Sequence, residues 1–163
     1  VAEKKAKPVP GVLEFARAAE AKGVTILYLS NRAQHLQDAT LANLRAEGLP
    51  VKDESVFLGL GMHVEGCEQH GSEKTCRRRV AGRDYRVLMQ FGDQLGDFVD
   101  IVANTSEARG QLLEDYGDWF GERWWMLANP SYGGWEPAQF NNAWDQPATA
   151  RREAKRAALN LDQ

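Results

Sequence analysis

The sequence has 163 residues, 43% of them hydrophobic, and sets 20 Lys and Arg against 23 Asp and Glu for a formal net charge of -3. That length can bury a core within one domain, and the charge leaves no basic surplus for a nucleic-acid polymer. No apolar stretch approaches the roughly 20 residues of a membrane span, and no secretory signal pattern opens the chain. It begins instead with "VAEKKAKPVPG", lacks an initiator Met, and is expected to be the middle of a longer chain.

After Pro8 and Pro10, residues 11–22 are predicted as a helix. Val12, Phe15, Ala16 and Ala19 recur on one face, and Gly23 stands ready to end it. "VTILYL", Val24 to Leu29, is a continuous apolar run of the kind found in strands covered on both faces, and "SNR" stops it. A second helix is predicted from Ala33 to Glu47 and a short strand at Ser55 to Leu58, followed by a Gly-rich loop over 59–73. Lys74 to Arg83 reads as a basic helix and "YRVLMQF", Tyr85 to Phe91, as a strand. Thr105 caps a predicted helix running to Tyr116, and "WWML", Trp124 to Leu127, is a last strand. A turn-rich segment, "ANPSYGGWEP", precedes an Ala/Arg/Lys-rich helical tail from Ala148. Residues 1–147 thus read as the core and 148–163 as the tail, which either belongs to the domain or makes a subunit contact in a homodimer.

Strands alternating with helices predict an α/β fold with a mostly parallel sheet flanked by helices. Ligands in such sheets bind at the carboxyl ends of the strands. By that rule "SNR", "GDQLGD" and "NPSYGGW" are expected on one rim. The chain starts on a helix where such domains usually start on a strand, so a first strand is expected upstream.

Four groups of residues could carry chemistry. Asp93 and Asp97 are hard oxygen ligands suited to Mg²⁺, and equally a Gly-Asp turn with an acid in a first helical turn. Ser30, Asn31 and Arg32 offer a hydroxyl and backbone N–H groups to an anion, or simply cap a helix. Lys74 could neutralise a phosphoryl group as a point charge, or belong to a solvated basic face with the arginines after it. Tyr132 and Trp135 could stack on a flat leaving group, or pack on the core rim. Cys67 and Cys76, nine apart, could form a local disulfide or remain thiols. With His63 and His70 their spacing matches no familiar zinc pattern.

Taken in order, "PVPG…EF", "YLSNR", "SEKTCRR", "YRVLMQFGDQLGDF" and "FGERWWMLANPSYGGWE" resemble the haloacid dehalogenase superfamily, and within it the class C acid phosphatases, which include the bacterial outer-membrane lipoprotein acid phosphatases and 5′-nucleotidases. The resemblance spans Pro8 to Glu136. It implies a Rossmann-like haloacid dehalogenase core and a phosphomonoesterase that uses Mg²⁺ on a small phosphorylated substrate, nucleoside monophosphates among them. By position it makes Ser30 the hydroxyl that binds the transferring phosphoryl group, with Asn31 beside it. Lys74 becomes the lysine that offsets phosphate charge, Asp93 a Mg²⁺ ligand, and Asp97 its neighbouring acid. Tyr132 is implied to pack against a nucleoside; Trp135 stays a stacking candidate on its aromatic character alone.

One feature of the family has no counterpart here. Its D-x-D motif, whose first Asp is the nucleophile and second the acid/base, occurs nowhere in the 163 residues. The expectation is therefore an aspartyl-phosphate enzyme whose nucleophile lies outside this chain, which alone does not turn over. The alternative is a phosphate- or nucleotide-binding fragment or degenerate homologue. A receiver-like Mg²⁺-binding domain would leave "NPSYGGWE" without a role. The lipoprotein-type relatives imply export to the periplasm or outer membrane. In that compartment Cys67 and Cys76 are expected to pair and pin the loop before Lys74.

Overall fold

The computed structural model describes residues 3, 5–68 and 71–159, so His70 and the tail's last residues, 160–163, lie outside what is described. The chain divides into two compact units, Val1–Arg86 and Val87–Gln163. Each contains a two-stranded parallel sheet with helices, so the α/β class with parallel pairing is as expected. No helix among the described residues is long and apolar enough to cross a membrane.

In the first unit, α1 (Val12–Ala21) leads to β1 (Tyr28–Ala33), a 3-10 turn and α2 (Gln37–Ala46), then β2 (Phe57–Leu60) and α3 (Thr75–Asp84). Tyr28 pairs with Phe57 and Leu29 with Leu58. The register then shifts before Ala33 meets Leu60. Leu41, Val56 and Phe57 form the buried core, with Leu27, Tyr28, Leu44 and Val51 packed against it. Burying a side chain such as Phe57 stabilises by about 1.5–3 kcal/mol. Asn43, buried on α2, grips the leading segment from both sides: its Nδ2 donates to Ala6 O at 2.9 Å and its Oδ1 accepts from Ala6 N at 3.2 Å. The Tyr28 hydroxyl donates to Pro50 O at 2.6 Å, and burial, then the Glu20 charge, push its pKa up to about 12.

Both strands here begin later than the apolar runs suggest. Val24–Leu27 are half-buried and precede the ladder, while Ser30–Arg32, expected to stop the strand, lie within it. The reason lies downstream of them. Gln34 Oε1 accepts from Gly59 N at 2.8 Å and ties the end of β1 to β2, so the chain stays extended through the register shift. β2 starts at Phe57 because Asp53 captures Ser55. Its Oδ1 accepts from Ser55 N at 2.9 Å and from Ser55 Oγ at 2.5 Å, winding 54–56 into a 3-10 turn. Gly59 and Leu60, expected in the loop, therefore complete that strand.

In the second unit, β3 (Gln90–Gly92) is followed by a 3-10 turn, α4 (Ser106–Asp115), β4 (Trp124–Met126), α5 (Trp135–Ala138) and α6 (Ala148–Ala157). Thr105 caps α4 as predicted, its Oγ1 accepting from Ala108 N at 3.1 Å. Trp124 centres the core, with ring centroids 4.9–5.5 Å from Trp119, Tyr116, Phe98 and Phe120. The predicted strand Tyr85–Phe91 shrinks to three paired residues, because β4 is itself only three long. Val87, Leu88 and Met89 remain 44–49% exposed and are not the buried run expected of them.

Candidate functional site

Within the first unit, one side chain gathers the predicted phosphate-handling residues. Arg77, in the first turn of α3, is fully buried at 0% exposure. Its Nη1 donates to Ser30 O at 2.5 Å. Its Nη2 donates to Asn31 Oδ1 at 2.8 Å, Glu73 O at 2.7 Å and Ser72 O at 3.3 Å. One guanidinium thus holds the Ser30–Asn31 stretch of β1 against the turn that leads into Lys74. Lys74 is the residue at the N-terminal end of α3 and is half-buried. Ser30 Oγ accepts from Arg32 N at 3.1 Å, which leaves the hydroxyl its own proton to donate to an oxyanion. Burial first, and the Arg78 charge second, lower the Arg77 pKa below the usual guanidinium value.

Cys67 and Cys76 are joined by a disulfide, so the thiol alternative does not apply and neither sulfur remains as a zinc ligand. The bond fixes the loop to the turn of α3 that carries Arg77 and follows Lys74.

In the second unit, Asp93 follows β3 and is exposed. Asp97 is turned back on the chain: its Oδ2 accepts from Asp93 N at 2.9 Å and from Gln94 N at 3.0 Å. A carboxylate receiving two backbone N–H groups fixes the turn that presents Asp93. Asn129 completes the arrangement. Its Nδ2 donates to Asp93 Oδ2 at 2.6 Å, and its Oδ1 accepts from Ser131 N at 3.1 Å and Oγ at 2.7 Å. Gln94 Nε2 donates to Tyr132 O at 3.0 Å, so the 129–135 loop is fastened at two points to the acidic turn, and Trp135 Nε1 donates to Asn129 O at 3.1 Å and closes the loop on itself. Tyr132 projects at 66% exposure, whereas Trp135 is half-buried and held by its indole N–H. Gly133, with φ 155°, passes so close to Gln94 that an added Cβ would sit 2.1 Å from its Oε1.

Behind the loop, Asn104 Nδ2 donates to Gly134 O and to Asn142 Oδ1, both at 2.9 Å. Asn142 Nδ2 returns a bond to Asn104 O at 2.8 Å. Arg109 Nη1 donates to Asn104 Oδ1 at 3.1 Å, and burial lowers that guanidinium's pKa. Lys155 of α6 pairs with Glu136 of α5 at 2.7 Å, and Arg151 lies 5.3 Å over the Trp144 ring.

Among the described residues no cluster of three or more His, Cys, Asp or Glu gathers to hold a metal. Mg²⁺ does not require one, since it is usually bound through one or two carboxylates with water and substrate phosphate completing its shell. Asp93, exposed and oriented through one oxygen by Asn129, fits such a ligand. Asp97 is engaged with the backbone through Oδ2 and supports Asp93 from behind. Asn129, Gln94 and Arg77 were not singled out in the sequence.

Residues 1–135 match the family model described as HAD superfamily, subfamily IIIB (acid phosphatase). The chain is also similar to the class C acid phosphatase from Bacillus anthracis at 28% identity and a TM-score of 0.81, with 99% of this chain and 65% of that one covered. A crystal structure of the class C acid phosphatase from the same organism with tungstate bound gives 27% identity, a TM-score of 0.82 and the same coverage. The chain therefore spans about two thirds of the length of these proteins. With the model matching most of its residues, the chain belongs to the HAD superfamily, subfamily IIIB, the acid phosphatases.

Proposed function

We propose that the protein is a Mg²⁺-dependent acid phosphatase acting on small phosphomonoesters, nucleoside monophosphates among them. The observation that carries the reading is the bonding of Ser30, Asn31 and the turn before Lys74 around one buried guanidinium, in a chain of this family. Ser30 donates its hydroxyl to the phosphoryl group, Asn31 lies beside it, and Lys74 offsets charge on the equatorial oxygens. Asp93 would hold Mg²⁺, with Asp97 fixing its backbone, and the bound ion would supply charge neutralisation at the phosphoryl oxygens. Tyr132, exposed on the loop, packs against the leaving group's flat face, with Trp135 anchoring the loop beneath it. Attack on phosphorus is assigned to a carboxylate of a D-x-D motif, which these 163 residues do not contain.

The second reading, a chain that binds phosphate or nucleotide without turnover, is favoured by that same missing motif. Placement in the periplasm or at the outer membrane is supported by the disulfide, which persists in oxidising compartments.

The test uses the full-length gene product and the 163-residue chain side by side, with a chromogenic phosphate ester and Mg²⁺. Turnover is expected from the former alone. Asp93→Asn in the full-length protein should lower kcat/KM on the order of a hundredfold or more. Near-native turnover of that variant would sink the metal role, and turnover by the short chain would sink the assignment of the nucleophile.

A further inference from the structure

Arg77 is an expensive residue to keep where it is. Its charge is wholly buried, and its four acceptors are three backbone carbonyls and one side-chain amide, none of them a carboxylate. It also stands in the first turn of α3, where the helix dipole favours acids. Buried Nε has no hydrogen-bond partner among the described atoms. Burying a guanidinium this way is costly unless its bonds accomplish something that a neutral side chain cannot. Here the fork reaches two segments 41 or more residues apart in sequence, Ser30–Asn31 and Ser72–Glu73. A lysine, with one nitrogen, cannot span them in this way.

We propose that Arg77 is a positioning residue for oxyanion binding, setting the Ser30 hydroxyl and Asn31 relative to Lys74 and leaving a buried positive charge in that corner. It touches the two binding segments through their carbonyls and the Asn31 amide, so it acts through them. The inference rests on the reading of Ser30 and Lys74 as phosphate-binding residues. Its effect belongs to ligand affinity first, because it governs the spacing of donors before any chemistry occurs.

The experiment measures tungstate and inorganic phosphate affinity calorimetrically in the full-length gene product, with thermal unfolding recorded in parallel. Arg77→Lys is expected to fold and to weaken tungstate binding at least about tenfold. Arg17→Ala, which removes a guanidinium bond to Gly48 O elsewhere in the same unit, serves as the structural control: it is expected to lower Tm while leaving the affinity unchanged. Positioning through Asn31 further predicts non-additivity, with Asn31→Ala costing less in the Arg77→Lys background than alone. Arg77→Lys binding within threefold of the unsubstituted protein, or fully additive losses, overturns the proposal. Should Arg77→Lys fail to fold, proton–nitrogen NMR of the unsubstituted protein decides: the Arg77 guanidinium signals must shift on tungstate saturation, and unmoved signals overturn it. Ser30→Ala and Lys74→Ala separate the two levels. If both leave tungstate affinity intact, the phosphate-binding reading falls and the inference with it. If both weaken it while Arg77→Lys does not, the inference alone falls.

Discussion

Asn129 reaches back 36 residues to hold Asp93 through one oxygen while its other end closes the turn onto Ser131. A residue that orients a metal ligand typically accounts for 10–100-fold in metal affinity. With Asp93 as the proposed Mg²⁺ ligand, Asn129→Ala in the full-length protein should raise the Mg²⁺ concentration for half-maximal activity by about that factor, with Tm nearly unchanged; an unshifted activation curve would confine Asn129 to shaping the loop. In the sequence this Asn is hidden, because Asn before Pro-Ser and Gly-Gly reads as ordinary turn chemistry. Arg77 was hidden differently. Three arginines in a row step about 100° each around a helix, so they sweep most of its circumference and one is carried inward. Arg79 is exposed, Arg78 intermediate and Arg77 buried. The preceding Cys76, 2% exposed, is the local sign of which one turns in. Asp93 was legible as a candidate because its place among ordered motifs outweighed an unremarkable Gly-Asp turn.

Helices were more legible than strands. α1 and α4 fall close to their predicted spans because one is punctuated by Gly23 and the other by the Thr105 cap, both local signals. Strand limits depend instead on the partner. Gln34 and Asp53, both outside the apolar runs, decide where β1 and β2 begin and end. In the second unit the three-residue β4 limits β3 and supplies two tryptophans of opposite fate. Trp124 is 8% exposed among four aromatic side chains, while Trp125 is 41% exposed and stacks on Phe91 at 6.4 Å. Trp124→Ala is expected to cost about 3–5 kcal/mol, measured by denaturant unfolding. Trp125→Ala should cost about 1 kcal/mol or less. Equal losses would mean that the aromatic cluster is not the centre of that unit's stability.

At the scale of the whole molecule, the family was readable from the order of several weak motifs, whereas the division into Val1–Arg86 and Val87–Gln163 was not. No composition change or linker marks Arg86, so the boundary arises from which contacts form. The disulfide joins residues nine apart, and closing so short a loop is worth about 2–3 kcal/mol in the chain-entropy account. Reduction, or the Cys67→Ser/Cys76→Ser double variant, should lower Tm by several degrees; an unchanged Tm would make the bond a bystander. A last consequence concerns where this molecule can be cut. The stretch matching the family ends at residue 135, yet Gly134 is braced through Asn104 by Asn142, and α5 is tied to the tail by Glu136 and Lys155. The border of the family match and the border of mechanical support do not coincide. A chain trimmed at the first would keep every residue of "NPSYGGW" and lose the Asn142 brace on Asn104 that backs that loop.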